Sequence, residues 1–319
     1  MSTNDTSWDR KRTILALGEP LIELRFDGNN ALGVSIGGDV ANILACLSRI
    51  MKPRVNELQL LTSLGGSFYS KWLRDNLRRH GIEVIGPPGL GEPGVYGISP
   101  DPSIQPTSSY WRAESAARKF FATLSLAELK KIAPEADVVI ITGITLALCS
   151  DASFEELLHW VGQLPLRATV ALDCNFRPAL WPDVETARRR LDRFQRAVAL
   201  LVTSLEDEKL LRPRCALSEV LDRLGHVSAE VVLRAGSTGC WVCVDGRWRE
   251  ARTTPQEVVD ATGAGDSHLA GYIAARIHGH PPLLAAHFAN AVAGVIIAQR
   301  GSIPHDRSLL PTLPAAVVS

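Results

Sequence analysis

The sequence lacks long apolar runs and an excess of charge of either sign. None of its apolar segments approaches the roughly 18 residues that a membrane-spanning helix requires, so we expect no membrane partner. Its 34 basic residues balance its 34 acidic residues. This balance argues against a nucleic-acid-binding surface, an acidic tail or a basic membrane helix. A small molecule is therefore the expected partner.

Cysteine is sparse, and the positions of the cysteines do not form a disulfide framework. Six cysteines scattered through 319 residues do not resemble the disulfide pattern of a small secreted domain. Cys240 and Cys243 form a C-x-x-C, but their spacing predicts opposite faces of a strand, and no second pair completes a zinc site. The first dozen residues are polar, and the apolar segment after them is soon interrupted by Glu19 and Pro20, unlike a signal peptide. We expect reduced thiols and a cytoplasmic location.

Short β-rich runs alternate with helical stretches along the chain. The runs are TILALG (13–18), DVVIITG (137–143), ATVALDCNF (168–176), ALLVTS (199–204) and EVVLRAG (230–236). Apolar strands alternating with helices indicate a parallel sheet that is covered on both faces. The sequence therefore predicts a doubly wound α/β core. Because no internal repeat or shift in composition marks a second unit, we expect one main domain, 12–319.

Two segments do not follow this alternation. The stretches at about 21–36 and 92–115 carry strand-forming residues with Asp-Gly or Pro-rich turns but no helical spacing. They are expected to pair into a small β appendage outside the main sheet. A third stretch, 239–251, predicts a hairpin around Asp245-Gly246.

A glycine-rich helix entrance stands out in DATGAGDSHLAGY (260–272). Apolar residues recur after it with helical spacing as far as Ile277, and Gly279 ends the helix. Gly263, Ala264 and Gly265 therefore lie where backbone N–H groups lack intrahelical partners and the helix dipole is positive. Glycine also lets an anion approach the backbone closely. The pattern predicts a phosphate-binding turn.

Asp266 follows that turn directly, and the residues alone leave two interpretations open. An aspartate at a helix start is a common cap. Alternatively, Asp266 is a base that takes the proton of an attacking hydroxyl while the neighbouring N–H groups neutralise a transferred phosphoryl group. A weak base suffices for that reaction, because phosphoryl transfer passes through a loose transition state in most analyses.

The segment DATGAGD is similar to the C-terminal signature of the PfkB, or ribokinase-like, family of carbohydrate kinases, usually D-T-x-G-A-G-D. Three more segments resemble the family in its order: SIGGDVANILACLSRI (35–50), LRAGSTGCWV (233–242) and ANAVAGVIIAQRGSIP (289–304). The resemblance implies a ribokinase-like three-layer α/β/α sandwich. Its central sheet would be mostly parallel, and the two strand-rich segments would form a small β lid over the sugar.

The resemblance also implies an ATP-dependent kinase with Asp266 as catalytic base. The amides of Gly263, Ala264 and Gly265 would form the anion hole. Residues implied for ATP are Ser204, Arg234, Gly236, Ser237, Gly239, Gly263, Gly265 and Asn290. Gly236 and Gly239 would let the backbone approach the nucleotide, although an ordinary strand-turn-strand also explains them.

The sequence departs from the family pattern in two places, one of which is the implied metal site. Members often carry N-x-x-E where this chain has SLED (204–207), which offers Ser204 and Asp207 instead. Mg²⁺ is the expected ion, with Asp207 as the candidate ligand. Some members bind a monovalent cation near the anion-hole loop, which makes such an ion a further candidate cofactor. Ala261 stands where threonine is commoner.

Candidate sugar-binding residues come from a glycine turn and from two arginines. Gly37 and Gly38 precede a helical stretch, where bare backbone could meet a hydroxyl, although a plain tight turn also explains them. Arg112 lies in a strand-rich segment, on the same strand face as Tyr110. Arg177 follows a buried strand, at the sheet edge where α/β proteins bind ligands. Since arginine matches a carboxylate through paired donors, the two arginines favour an acidic sugar.

Four short segments refine the resemblance. They are GEPLIEL (18–24), PGVYGI (93–98), YWRAESAAR (110–118) and DCNFRPALW (173–181). They look most like the family members that phosphorylate 2-keto-3-deoxygluconate at its primary hydroxyl, giving the 6-phosphate. On that basis the substrate-binding residues are Gly38, Tyr96, Tyr110, Arg112 and Arg177.

The residues leave three alternative functions and one further partner open. The chain could be a fructokinase or another neutral-sugar kinase, a nucleoside kinase of the same family, or a sugar or nucleotide sensor that keeps the fold without catalysis. Because related kinases often pair through their lids, a homodimer or higher oligomer through this lid is a further candidate.

Overall fold

The computed structural model describes residues 12–26, 31–51, 56–99, 108–133, 135–304 and 306–313. The polar N-terminal segment discussed above, up to residue 11, lies outside the described residues. So do 27–30 and 100–107 of the two strand-rich segments and 314–319 of the expected domain.

The described residues form strands and helices in alternation. The strands are β1 (Arg12–Leu17), β2 (Leu21–Phe26), β3 (Leu32–Gly37), β4 (Asn56–Leu61), β5 (Ile82–Ile85), β6 (Gly94–Ile98), β7 (Ser108–Trp111), β8 (Val138–Thr142), β9 (Thr169–Asp173), β10 (Leu200–Ser204), β11 (Glu230–Arg234), β12 (Gly239–Val244) and β13 (Arg247–Arg252). The α-helices are α1 (Asp39–Ile50), α2 (Phe68–Arg79), α3 (Ala116–Thr123), α4 (Leu126–Ile132), α5 (Gly143–Leu148), α6 (Asp151–Val161), α7 (Val184–Phe194), α8 (Leu205–Leu211), α9 (Leu217–Gly225), α10 (Ala264–Ile277) and α11 (Pro282–Ile297).

A large sheet forms the centre of the fold, with strand order β13-β12-β11-β10-β9-β8-β1-β4-β5. The strands from β5 to β11 in this order are parallel, whereas β12 and β13 add an antiparallel hairpin at one edge. The five predicted strands are confirmed as β1, β8, β9, β10 and β11. The predicted hairpin is also confirmed, and both turn residues, Asp245 and Gly246, have the positive φ of a tight two-residue loop.

Helices cover both faces of the large sheet. Ile14 and Ala16 of β1 pack into one apolar core with α1, α2, α10 and α11, while Leu15 and Leu17 point into a second core beneath the remaining helices. This alternation follows from the two-residue side-chain period of a strand. The α/β/α sandwich with a mostly parallel sheet is therefore confirmed.

A second, smaller sheet lies apart from the first, with strand order β3-β2-β6-β7. β2 pairs antiparallel with β3 and parallel with β6, and β6 pairs antiparallel with β7. These four strands come from the two segments that lack helical spacing, so the predicted β appendage is confirmed. Within the described part of the chain, no helix is both long enough and apolar enough to cross a bilayer.

Candidate active site

A cavity of about 1340 Å³ lies at the carboxyl ends of β1, β9, β10 and β11 and is covered on one side by the small sheet. Parallel α/β sheets bind ligands at this edge, because the loops after several strands converge there. The cavity lining includes all the predicted site residues except Gly37. They are Gly38, Tyr96, Tyr110, Arg112, Arg177, Ser204, Asp207, Arg234, Gly236, Ser237, Gly239, Gly263, Ala264, Gly265, Asp266 and Asn290.

Gly37 contributes to the site through the packing of a neighbouring side chain. A Cβ at this residue would lie 2.6 Å from the ring of Tyr96, so Gly37 makes room for that ring instead of lining the cavity. Gly38 does line the cavity and begins α1 with a φ of 93°. A Cβ there would lie 2.6 Å from the carbonyl oxygen of Glu19, which explains why this turn requires glycine.

Asp266 lies in the first turn of α10, but its carboxylate does not cap the helix. The N-cap residue is Gly263, which makes no side-chain capping bond. Asp266 Oδ2 instead accepts a hydrogen bond of 2.8 Å from Asn42 Nδ2. Asn42 is held in turn by Ser302, whose Oγ donates to Asn42 Oδ1 at 2.8 Å. The carboxylate is thus oriented by a side chain of α1.

The pKa of Asp266 is raised to about 7, because burial disfavours the charged carboxylate and the nearby carboxylate of Asp39 adds repulsion. The hydrogen bond from Asn42 opposes this rise. A carboxylate with a pKa near neutrality is a better proton acceptor than an ordinary aspartate and is still largely ionised at slightly alkaline pH. The site therefore holds a group suited to general base catalysis.

The prediction of a three-amide anion hole needs one correction. The N–H of Ala264 donates to the carbonyl of Ala261 at 3.2 Å, so this amide is already used inside the turn. Among the described residues, no acceptor is found for the N–H groups of Gly263 and Gly265. Those two amides carry the unused donor capacity at the helix N-terminus. The predicted three-amide anion hole is thereby reduced to two of its members.

Both glycines of the turn are required by close contacts. Gly263 has a φ of 78°, and a Cβ there would lie 2.5 Å from the Cβ of Ser302. A Cβ on Gly265 would lie 2.8 Å from Nη1 of Arg234. The turn is therefore packed against Ser302 and Arg234 where it borders the cavity.

Arg234 supplies part of that packing. Its Nη2 and Nη1 donate to the two carboxylate oxygens of Asp173 at 2.7 and 2.9 Å, and Nη1 also donates to the carbonyl of Gly265 at 3.0 Å. Arg234 borders the cavity as predicted, but these bonds make it a support for the anion turn. Asp173 was not predicted as a site residue, although a charged residue at the carboxyl end of a buried strand was a readable signal.

Arg112 and Glu19 form a buried ion pair in the cavity wall. Arg112 Nε donates to Glu19 Oε2 at 2.8 Å, and its Nη2 makes a second bond to the same oxygen. Glu19 is only 1% exposed, and burial raises its pKa while the charge of Arg112 opposes the rise. This pair was not predicted from the sequence, and the charge of Arg112 was therefore expected to be free for a ligand. The charge is in fact balanced by Glu19.

Arg177 is the more accessible of the two arginines. Its side chain is 54% exposed, and its Nη1 lies 4.0 Å from Oδ1 of Asp207, a contact too long for a strong ion pair. One N–H of this guanidinium donates to the carbonyl of Phe176. Most of its donors are therefore available to a ligand in the cavity.

Two tyrosines of the small sheet line the cavity on the side that this sheet covers. Tyr96 and Tyr110 lie opposite each other on β6 and β7 and stack with ring centroids 5.6 Å apart. Tyr96 donates its hydroxyl to Glu23, a buried residue of β2. As the strand pattern predicted, Arg112 shares the cavity side with Tyr110, whereas Trp111 is 62% exposed and does not line the cavity.

The opposite end of the cavity is formed by the loop after β11 and by α11. Gly236 has a φ of 61°, and a Cβ there would meet no atom of the described residues within 4 Å, so its backbone is open to a ligand. Gly239 is packed, since a Cβ would lie 2.2 Å from the carbonyl oxygen of Ala251. Asn290 Nδ2 donates to that same carbonyl at 2.8 Å, while its Oδ1 contacts Nε2 of His268 at 3.2 Å.

The candidate metal residues lie at the start of α8. Ser204 caps this helix by accepting the N–H of Asp207 at 3.0 Å, and Asp207 Oδ1 accepts the N–H of Phe176 at 3.1 Å. Burial raises the pKa of Asp207, and repulsion from Asp173 raises it further. The described residues contain no cluster of three or more His, Cys, Asp or Glu side chains that could hold a metal alone. A magnesium ion bound mainly by nucleotide phosphates and water would still fit beside Asp207.

The fold and the cavity are those of an α/β phosphotransferase with an anion turn beside a buried carboxylate. The chain belongs to the pfkB family of carbohydrate kinases, whose sequence pattern matches residues 23–308. A 2-dehydro-3-deoxygluconokinase of Dickeya dadantii is 31% identical over 92% of this chain and 96% of that protein.

Solved structures share the fold at lower identity. A 2-dehydro-3-deoxygluconokinase of Thermotoga maritima superposes with a TM-score of 0.76 at 21% identity, covering 92% of this chain and 95% of that chain. A fructokinase of Vibrio cholerae bound to fructose, ADP and calcium ion gives a TM-score of 0.80 at 16% identity, covering 97% of this chain and all of that chain.

Proposed function

We propose that this kinase transfers the γ-phosphoryl group of ATP to the primary hydroxyl of 2-keto-3-deoxygluconate, also named 2-dehydro-3-deoxygluconate. The main support is the 31% identity over nearly the whole length to a relative named for that activity. The cavity adds a half-exposed arginine, Arg177, near the buried carboxylate of Asp266. Because the donor is ATP, we place the reaction in the cytoplasm.

In the proposed mechanism, Asp266 accepts the proton of the acceptor hydroxyl as its oxygen bonds to the γ-phosphorus, and the bond from that phosphorus to the β,γ-bridging oxygen breaks to release ADP. The N–H groups of Gly263 and Gly265 neutralise charge on the phosphoryl oxygens during transfer. Arg177, with Tyr96 and Tyr110 on the small sheet, holds the acid and hydroxyl groups of the sugar. The open backbone at Gly236 borders the nucleotide.

We propose Mg²⁺ as the metal of the reaction, and it supplies charge neutralisation to the phosphates when bound. Asp207 is the residue placed to hold it, directly or through water. A monovalent cation near the anion turn stays a further proposal for this chain.

An oligomer through the small sheet is also proposed. Leu32 and Val34 of β3 and Trp111 of β7 are 48%, 50% and 62% exposed. They lie on the two edge strands of the small sheet, and a second copy of the sheet packed there would cover these exposed apolar side chains.

A neutral sugar is the second candidate substrate, and one observation favours it. Because Glu19 already balances the charge of Arg112, that side of the cavity offers less net positive charge than two free arginines would. A fructokinase of Klebsiella pneumoniae is 23% identical over 86% of this chain. This likeness is weaker than that to the sugar-acid kinase.

A substrate comparison tests the proposal. Purified protein with Mg²⁺ and ATP is assayed for ADP release with 2-keto-3-deoxygluconate, fructose, ribose and adenosine. The acidic sugar is expected to give the highest kcat/KM. A higher kcat/KM for any of the three neutral substrates contradicts the assignment, and ADP release with none of them supports the non-catalytic alternative.

The pH dependence of the reaction tests the role of Asp266 separately. Since the carboxylate is the active form and its pKa is about 7, kcat/KM is expected to fall as the pH drops below about 7 and to level off above it. Asn42 lowers that pKa through its hydrogen bond. In an Asn42→Leu variant the midpoint should therefore move to higher pH, whereas titration of the nucleotide would leave it in place.

A further inference from the structure

Arg25 connects the small sheet to the anion turn from behind the cavity. Its Nε donates to Glu23 Oε1 at 3.2 Å, and its Nη1 lies 2.8 Å from Oδ2 of Asp260. Arg25 is not among the residues that line the cavity. Its guanidinium therefore bridges a carboxylate of β2 and a carboxylate at the start of the anion turn, without contacting the substrate itself.

At one end of this bridge, Glu23 is linked to the sugar side of the cavity. Glu23 is 3% exposed and accepts hydrogen bonds from the hydroxyl of Tyr96 and from Oγ of Ser35, the latter at 3.2 Å. Tyr96 lines the cavity and stacks on Tyr110. A ligand that contacts Tyr96 is thus linked to Arg25 through the carboxylate of Glu23.

At the other end, Asp260 joins the two segments that form the anion turn. Its Oδ1 accepts the N–H of Thr262 at 2.9 Å, and its Oδ2 accepts the N–H of Gly301 at 2.9 Å. Thr262 directly precedes Gly263. Gly301 directly precedes Ser302, the residue against which Gly263 packs. The position of the Gly263 amide therefore depends on Asp260.

Arg25 gives Asp260 its counter-charge. The Asp260 side chain is 12% exposed, and the Arg25 side chain is 23% exposed. Burial raises the pKa of Asp260, but the hydrogen bonds from Thr262 and Gly301 and the charge of Arg25 outweigh it, so the net pKa is lowered. Without Arg25, a largely buried carboxylate would keep its two N–H donors but lose its cation, and water would have to enter beside the turn.

We propose that Arg25 is a positioning residue that couples the small sheet to the geometry of the anion turn. This inference rests on the proposed function, because it concerns the same transfer step. A sugar that orders Tyr96 and Glu23 also orders Arg25 and Asp260. The amides of the anion turn are then aligned for the phosphoryl group when the acceptor is in place, which favours transfer to the sugar over transfer to water.

Steady-state kinetics of Arg25 variants give the first test. Arg25→Met keeps the length of the side chain and removes its charge, and kcat is expected to fall by about 10²-fold because the anion turn is displaced from its productive geometry. KM for ATP and for the sugar should change little, since no contact to either is removed. Arg25→Lys restores a cation beside Asp260 and should recover part of kcat. Arg188→Met, the same change at an exposed pair with Glu185 on α7, is the matched control.

Hydrogen exchange gives a second test that does not depend on the identity of the sugar. In the folded Arg25→Met variant, the amides of Thr262 and Gly301 should exchange faster than in wild type, while amides of α7 should not change. Equal exchange at Thr262 and Gly301 overturns the proposal, as does an unchanged kcat on any sugar that the wild type phosphorylates. If the wild type is inactive on 2-keto-3-deoxygluconate but the exchange result holds, the proposed substrate fails and the role of Arg25 stands.

Discussion

Asp266→Asn is expected to lower kcat by about 10³-fold, because general base catalysis contributes roughly 10² to 10⁴-fold. Asparagine has the size of aspartate and can keep a hydrogen bond to Asn42, but its amide cannot accept the proton of the acceptor hydroxyl. ATP affinity should stay the same or rise slightly, since one negative charge near the phosphates is removed. Initial rates and calorimetry with a non-hydrolysable ATP analogue measure the two effects.

Asp75→Asn provides the matched control for this variant. Asp75 lies on α2 in an exposed pair with Lys71 and does not line the cavity. Its substitution should leave both kcat and nucleotide affinity at the wild-type values. An Asp266→Asn enzyme that keeps a kcat within about threefold of wild type would contradict the base role, because a loss smaller than this lies far below the range for a proton acceptor.

Arg177→Met is expected to separate acidic from neutral substrates. The variant should lose about 10²-fold in kcat/KM for 2-keto-3-deoxygluconate, since removing one partner of a close charge pair costs roughly 2–5 kcal/mol. For fructose, which carries no carboxylate, the loss should be much smaller. The measurement is the ratio of the two kcat/KM values in wild type and variant. An equal loss for both sugars contradicts a carboxylate contact at Arg177.

Arg112 is a poorer choice for this comparison because of its buried partner. Removing Arg112 would leave Glu19 as an unpaired carboxylate in the protein interior, and breaking a buried pair in this way destabilises a protein by about 3–5 kcal/mol. Any loss of activity would then mix substrate binding with folding. Arg177, at 54% exposure, has no such partner in close contact among the residues that the structure describes. The exposed Arg188→Met variant again serves as control.

Much of the fold could be predicted because its signals are local. Apolar runs such as EVVLRAG encode buried parallel strands, and the glycine turn before Asp266 marks the start of α10 within a few residues. Strands β4 and β5, at one end of the large sheet, were not predicted. β4 mixes polar with apolar residues, and β5 has only four residues, so neither gives the continuous apolar run of a central strand.

The predicted site residues other than Gly37 line the cavity, but the cavity residues Glu19 and Asn42 and the side-chain pairings of the site were not predicted from the sequence. Residues at the carboxyl ends of strands could be assigned to one edge of the sheet, and the cavity brings them together. The bond from Arg112 to Glu19 joins residues 93 positions apart, and that from Asn42 to Asp266 joins residues 224 apart. Such contacts depend on the packing of separate elements and leave no periodic trace in the sequence. The hydrogen bond that occupies the Ala264 amide depends on the path of the backbone in the turn, and it could not be predicted for the same reason.

A crystal structure of the wild-type protein with 2-keto-3-deoxygluconate and a non-hydrolysable ATP analogue tests the proposed role of Asp266 most directly. We expect the primary hydroxyl of the sugar to lie within hydrogen-bond distance of the Asp266 carboxylate, with the γ-phosphate against the amides of Gly263 and Gly265 and the sugar carboxylate at Arg177. A sugar bound with that hydroxyl turned away from Asp266, or with its carboxylate far from Arg177, would contradict it.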